Sequence, residues 1–193
     1  IGSTPTLDGV SRIQSEYSKN ADGGFFLVAC PSCGHRQAIR FRADHPDDEE
    51  WLLHGESVPT GMMTWDNGDP ATAGFSCCSC HRRWTYGEHR LNVLPSGYWQ
   101  GNEWSHDGKR YQFNPNFKGR VGFRLWAGYS LAPGAKPESI VTEFLEVRGD
   151  PLKLQTFVNL TLGEAFREVG DSITLKRMKA LQDTWEGETP AAW

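Results

Sequence analysis

Phe25-Phe26-Leu27-Val28-Ala29-Cys30-Pro31-Ser32-Cys33-Gly34 decides the reading, together with its echo Phe75-Ser76-Cys77-Cys78-Ser79-Cys80-His81. Each stretch carries a C-x₂-C pair. A tight turn after a strand-like run sets two thiolates at the bite of a tetrahedral ion. Two such knuckles facing each other close a Cys₄ shell, so Cys30, Cys33, Cys77 and Cys80 are the candidate ligands of one structural zinc ion. Closure leaves no open coordination position, which speaks for architecture and against zinc chemistry. Cys78 is left free, because Cys77 and Cys78 are adjacent and poorly placed to share an ion. His35 and His81 read as turn residues beside a shell already filled.

Disulfides are the competing use. The chain has five cysteines, an odd number, and it opens on no apolar signal segment. A thioredoxin-like site needs one C-x₂-C beside a βαβ pattern, not two facing pairs. Reduced cysteine pairs suit a reducing compartment.

Working outward, Phe25 to Ala29 reads as a strand into the first knuckle, and Arg36 to Phe41 alternates as the returning strand. Ala38 and Arg40 fall on one face, Ile39 and Phe41 on the other. Phe75 to Thr85 repeats this arrangement around the second knuckle. The gap between knuckles is long, so residues 44–72 read as an insertion. The insertion opens on the acidic run Asp44-His45-Pro46-Asp47-Asp48-Glu49-Glu50. Such carboxylates can hold Mg²⁺, but a solvated loop is the simpler reading.

Ile1 to Thr6 reads as a strand end running into a loop. A short helix is expected from Asp8 or Gly9, with Val10, Ile13 and Tyr17 at helical spacing. Residues 20–24 (Asn-Ala-Asp-Gly-Gly) read as a turn. Glu88 to Leu94 reads as a short helix at most, and Gly97-Tyr98-Trp99 turns the chain. Val121 to Tyr129 alternates like a buried strand. Pro137 to Val147 predicts a helix with Ile140, Val141, Phe144 and Leu145 on its apolar face. A second helix follows from Asp150 as N-cap and Pro151 at the first helical position, burying Leu154, Phe157 and Val158. A last amphipathic stretch covers 171–185.

The 193 residues are 38% hydrophobic and 23% charged, with a formal charge of −4. That suits one domain or two small ones and does not itself demand nucleic acid. No apolar stretch reaches membrane-spanning length. Arg36, Arg40, Arg82 and Arg83 lie near the knuckles as candidate phosphate contacts, with Trp84 and Tyr86 as interleaved aromatics.

Several stretches together resemble one family. They are Gly2-Ser3-Thr4-Pro5 with Gly9 and Arg12-Ile13, then Val28 to Gly34, then the second C-x₂-C pair. Val121-Gly122-Phe123-Arg124-Leu125-Trp126 through Tyr129-Ser130 follows, and last Thr156-Phe157-Val158-Asn159-Leu160-Thr161-Leu162-Gly163-Glu164. In order and rough spacing the chain resembles the large terminase subunit of tailed bacteriophages, in the lambda-like branch, from residue 1 to about 168. The Phe-Val-Asn-x-Thr-Leu-Gly-Glu run is the most specific element.

The resemblance implies an ATP-driven motor that pumps phage DNA into a capsid, with an N-terminal P-loop ATPase and a C-terminal endonuclease. This chain would be a middle piece of the parent. Its fold would be α+β: the end of a P-loop-type ATPase sheet, an embedded Cys₄ zinc ribbon and C-terminal helices. Residues 1–24 would end the ATPase core. Residues 25–90 would form the ribbon, with its insertion at 44–72. Residues 91–170 would return and pack on the core, and 171–193 would lead to the nuclease, expected after residue 170.

Gly2 to Pro5 would correspond to the coupling motif, with Ser3 and Thr4 sensing the γ-phosphate from a strand end. No G-x₄-G-K-[ST] loop is present, nor is an apolar strand ending in an Asp-Glu pair. ATP and Mg²⁺ therefore belong to the full-length parent, and the chain alone is expected to be inactive as an ATPase and as a nuclease. The parent's partners would be phage DNA, the small terminase subunit and the portal, in an oligomeric motor in the bacterial host cytoplasm, with no membrane. The runner-up reading is a stand-alone zinc-ribbon module for nucleic acid or protein. A metal enzyme is weakest, for want of an open shell or a catalytic constellation.

Overall fold

The structure is a computed structural model that describes residues 2–41 and 52–167. The acidic run 44–50 and the amphipathic stretch 171–185 lie outside the described residues.

Among the described residues, nine strands form one mixed sheet: β1 Ala21–Ala29, β2 Arg36–Arg40, β3 Thr60–Asp66, β4 Asp69–Ser76, β5 Arg83–Trp84, β6 Tyr98–Gln100, β7 Trp104–His106, β8 Tyr111–Phe113 and β9 Arg120–Phe123. Their order is β8-β7-β6-β1-β2-β3-β4-β5, with β9 paired to the start of β1. Leu52–Leu53 and Glu56–Ser57 make a separate small ribbon. Three helices matter here: α1 Arg12–Asn20, α2 Pro137–Val147 and α3 Pro151–Leu160. The architecture is α+β.

Strand β1 organises the sheet by taking three partners along its length. Ala21–Gly24 pairs in parallel with Arg120–Phe123, Phe25–Leu27 pairs antiparallel with β6, and Val28–Ala29 pairs antiparallel with β2. The expected turn at 20–24 is therefore a strand. The Asn-Ala-Asp-Gly-Gly composition has a different cause. A Cβ on Gly23 would fall 2.6 Å from the Tyr17 ring, and one on Gly24 would fall 2.4 Å from Trp104. Glycine is needed because aromatic rings lie directly on the backbone.

Helix α1 begins after Ser11, not at Asp8 or Gly9, since Gly9 takes φ +78° and breaks the helical path. No strand occurs within residues 2–6; only Leu7 forms a bridge, to Phe166. Tyr98 and Trp99, read with Gly97 as a turn, belong to β6. The stretch 44–72 carries β3 and part of β4, joined at Asn67-Gly68, whose φ values of 50° and 74° suit a type I′ hairpin turn. The expected buried strand at 121–129 stops at Phe123, and Ala127–Tyr129 is a helical turn.

That break serves β2. Beyond the Val28–Gln37 pair the β1–β2 ladder ends, and two side chains take over. The Tyr129 hydroxyl accepts from the Ile39 amide (2.9 Å) and donates to the Phe26 carbonyl (3.1 Å), while Trp126 Nε1 donates to the Ile39 carbonyl (2.9 Å). Backbone groups left open where the ladder ends are thus satisfied by side chains.

Helices α2 and α3 form as the sequence predicts. The Asp150 carboxylate accepts from the amides of Leu152 and Lys153 at 3.1 and 3.3 Å. They cover the sheet face that carries Ile39, Phe41, Met63, Phe75 and Trp84. Ile140, Val141 and Phe157 complete this main core. Phe41 touches Trp65, Phe144, Phe157 and Trp126 at ring-centroid distances of 5.0–6.3 Å. Leu27 and Ala38 face the opposite side, in a smaller cluster with Val58. The alternation read along 36–41 is thus the two-sidedness of β2.

Candidate metal centre

The two knuckles are the ends of two hairpins, β1–β2 and β4–β5, on the same sheet. Their local geometry repeats. In the first, the Cys30 amide donates to the His35 carbonyl (2.9 Å) and the Gly34 amide donates to the Cys30 carbonyl (3.0 Å). In the second, Cys77 donates to Arg82 and His81 donates to Cys77, both at 3.0 Å. The residue after each second cysteine takes positive φ: Gly34 at 72° and His81 at 59°. A left-handed residue there reverses the chain, which is natural for glycine and costs histidine about 1 kcal/mol.

The structure brings Cys30, Cys33, Cys77 and Cys80 together, with all four sulfurs within 4.8 Å of one another. Cross-knuckle pairs Cys30–Cys80 and Cys33–Cys77 stand at 3.8 Å. A tetrahedral ion with metal–sulfur bonds of about 2.3 Å separates its sulfurs by about 3.8 Å. A disulfide needs about 2.05 Å, so the spacing fits a shared ion. Cys30 and Cys77 are buried, whereas Cys33 and Cys80 are exposed. Amides of Ser32 and Ser79 point at Cys30 Sγ and Cys77 Sγ, each at 3.4 Å. Such N–H···S contacts favour thiolates.

Thiol acidity is uneven across the set. At Cys77 burial opposes ionisation, but the amides of Cys80 and Ser79 and the neighbouring thiols outweigh it and draw the group down to about 7. At Cys33 the His35 amide favours the thiolate, yet desolvation and the three facing thiols push the group up to about 12. The donor set can hold one soft divalent ion.

Cys78 is not part of the set. Its amide donates to the buried Gln37 side chain at 2.9 Å. Gln37, on β2 and fully buried, thereby ties the first hairpin to the second knuckle. Sequence reasoning missed this residue; a Gln amid the apolar run Ala38-Ile39 is the only signal it leaves. Reasoning also missed His89, fully buried beneath the second knuckle and stacked on Phe75 at 4.4 Å. Its Nδ1 accepts from Trp84 Nε1 at 3.3 Å, so its Nε2 carries the proton and donates to the Gly128 carbonyl at 2.9 Å. Desolvation lowers the His89 pKa to about 4, against a weaker opposing pull from Gly128.

The four arginines near the knuckles are engaged separately. Arg36 donates to the Ser96 carbonyl at 3.2 Å and lies over the Tyr98 ring. Arg82 pairs with Glu88 at 2.7 Å. Arg83 forks onto both Asp66 oxygens at 2.8 and 2.9 Å. Arg40 lines a cavity. Trp84 is a core residue, buried against Phe75, and offers no face to a ligand. Tyr86 is half-buried beside Arg90.

That cavity, of about 590 Å³, lies between the N-terminal segment, α1 and the two C-terminal helices. Ser3 and Thr4 are exposed and line it with Arg40, Arg124, Arg148 and Arg167. Two salt bridges frame it: Arg167 with Asp8 (2.6 Å) and Arg124 with Glu164 (3.1 Å).

Residues 1–99 match the family described as phage terminase large subunit gpA, ATPase domain, and residues 120–193 match terminase large subunit gpA, endonuclease domain. That second match begins upstream of residue 170. The chain is 26% identical over 196 residues to the terminase large subunit of Escherichia phage lambda, covering 98% of this chain and 28% of that protein. It is 28% identical over 189 residues to that of Enterobacteria phage P21, covering 89% of this chain and 25% of that protein. The chain thus spans about a quarter of the length of these curated relatives. No solved structure matches it.

Proposed function

The chain belongs to the gpA family of phage terminase large subunits, and from that premise we propose that it is the structural joint of a DNA-packaging motor. In the full-length protein, ATP hydrolysis drives phage DNA into a capsid and the endonuclease cuts it. One observation carries this reading. An ATPase-domain match over 1–99 and an endonuclease-domain match over 120–193 occur in one chain, and their strands share a sheet, with β9 hydrogen-bonded to β1.

In this proposal the four-cysteine cluster is a structural zinc ribbon spanning about 25–90, its insertion at 44–72. When bound, zinc supplies cross-linking between the two hairpins and no reaction chemistry. The cysteines hold it, Gln37 fixes the register of the knuckles, and Gly34 and His81 reverse the chain behind it. Residues 1–24 close a P-loop-type ATPase core, 91–170 pack back upon it, and 171–193 lead onward. Ser3 and Thr4 act as the coupling segment, and the arginines lining their cavity supply the charge an anionic phosphate needs. ATP and Mg²⁺ bind through residues of the parent outside this chain. Phage DNA, the small subunit and the portal are partners of the oligomeric parent, in the host cytoplasm. No helix among the described residues is long and apolar enough to cross a membrane.

The test is done on the intact subunit. Ser3→Ala, Thr4→Ala and the double variant should bind ATP normally and package DNA more slowly, since a hydroxyl bond to the γ-phosphate exists before hydrolysis and not after. Normal packaging by all three would reduce residues 2–5 to an ordinary turn.

A further inference from the structure

Strands β6, β7 and β8, at one end of the sheet, belong to a row of aromatic rings whose outer members, Tyr111, Phe113 and Phe117, neither the cysteine cluster nor the cavity uses. The row starts inside, where Phe26 meets Trp99 at 5.3 Å, and Trp99 meets Phe123 at 4.9 Å. Phe123 meets Trp104 at 5.1 Å, and Trp104 meets Tyr111 at 6.1 Å. It ends in the open. Tyr111 and Phe113 share one face of the edge strand β8, 5.8 Å apart with ring planes 15° apart, and Phe117 continues the row at 5.3 Å and 16°. Tyr111 is 49% exposed and Phe113 is 51% exposed. Below them Trp104 is buried, its Nε1 fixed on the Asp22 carbonyl at 3.0 Å, so the floor is rigid.

Positive charge concentrates on the same stretch. The chain carries −4 overall, yet residues 103–120 hold four Lys or Arg (109, 110, 118, 120) against the two acids Glu103 and Asp107, a local +2. The Asp107 carboxylate is occupied by the amides of Lys109 and Arg110, both at 2.9 Å. Arg120 is paired with Glu16. Lys109, Arg110 and Lys118 are exposed, and no acidic partner engages them among the described residues.

An apolar protein partner would cover the rings but would have no use for the cations beside them. An unpaired polynucleotide uses both: its bases stack on ring faces and its phosphates meet the cations. A duplex keeps its base faces inside and can meet only the charges. We propose that the β7–β8 hairpin and the loop to Phe117 bind single-stranded nucleic acid, with bases stacked on Tyr111, Phe113 and Phe117 and phosphates held by Lys109, Arg110 and Lys118. The site is separate from the arginines near the knuckles, and it stands whether or not Ser3 and Thr4 couple hydrolysis to movement.

The experiment is fluorescence anisotropy of the chain with a labelled oligothymidylate strand and with a duplex of equal length. The single strand should bind more tightly. Tyr111→Ala and Phe113→Ala should each weaken it by about 5- to 150-fold, while Phe113→Trp, which keeps a ring face, should retain it. Lys109→Ala with Lys118→Ala should lower the slope of log affinity against log salt by about 0.7 per lost phosphate contact. These residues are exposed, so metal content and far-ultraviolet circular dichroism should be unchanged. Absence of binding, binding untouched by the alanine variants, or equal loss for duplex and single strand would each overturn the proposal. So would an alanine variant that leaves oligonucleotide binding intact but changes self-association, which would make the row a protein interface.

Discussion

The buried imidazole of His89 makes a quantitative prediction about acid stability. Folding lowers its pKa from 6.5 to about 4, because the ring sits fully buried between Trp84, Phe75 and the Gly128 carbonyl. The unfolded chain therefore takes up a proton at a pH where the folded chain refuses it. The stability this group contributes is fully present above pH 6.5, falls as pH drops below that value, and is gone once pH passes below about 4. Between pH 7.5 and pH 5 the loss is about 2 kcal/mol by linkage. Other groups also titrate in this range, the cluster thiols among them, so the measurement must be a difference. His89→Gln can keep both hydrogen bonds, accepting from Trp84 and donating to Gly128, without a titrating group. Urea unfolding followed by tryptophan fluorescence at both pH values should show the wild type losing about 2 kcal/mol more than the variant. Equal losses would mean that His89 is protonated in the folded state or solvated in it, and the hydrogen-bond assignment would fall.

The cysteine cluster predicts one equivalent of zinc by elemental analysis, lost in Cys30→Ser or Cys77→Ser and unchanged in Cys78→Ser. Chelation should unfold the two hairpins locally, read as loss of amide-exchange protection across 25–40 and 75–84. Gln37→Leu should weaken metal affinity by about 10- to 100-fold in a competition titration, since it frees the Cys78 amide and loosens the knuckle register. Gly34→Ala should destabilise the chain by about 1–2 kcal/mol, while His81→Gly should be neutral or stabilising, because only the former forces a side chain into the left-handed region. Tyr129→Phe should cost about 1–3 kcal/mol in denaturant unfolding, by leaving the Ile39 amide and the Phe26 carbonyl unpaired.

How far the sequence reveals this architecture depends on how local the cause is. The knuckles were legible because a C-x₂-C turn is set by neighbouring residues, and α2 and α3 because their caps and apolar faces are contiguous. The Gly23-Gly24 pair misleads for the opposite reason. Its explanation lies in Tyr17 and in Trp104, eighty residues downstream of Gly24, and no window along the chain contains both. The end of the strand at Phe123 is similar, since Trp126 and Tyr129 turn aside to satisfy β2, a partner set by tertiary pairing. Asn67-Gly68 differs again: an Asn-Gly between alternating residues is a hairpin signal, present in the sequence but masked by the Gly and Pro composition around it. His89 left no signal, because a histidine looks the same in a sequence whether it is buried or solvated.

Strand β1 joins what the sequence presents as separate features. Its first four residues pair with β9, in the part matched to the endonuclease domain; its middle pairs with β6, which leads into the aromatic sheet; its last residue adjoins Cys30. A nine-residue strand hydrogen-bonded along its whole length moves as a unit, because sliding it by one residue would turn every side chain to the wrong face. Gly23 and Gly24 press it against Tyr17 and Trp104, which forbids rotation as well. Metal loss at one end should therefore be felt at the other: if β1 is the rigid joint, chelation should lower amide-exchange protection at Asp22–Gly24 and at Val121–Phe123, not only around the cysteines. Protection lost at Cys30 and Cys77 but kept at Val121–Phe123 would show that the sheet absorbs the change locally, and β1 would be a shared edge and not a lever.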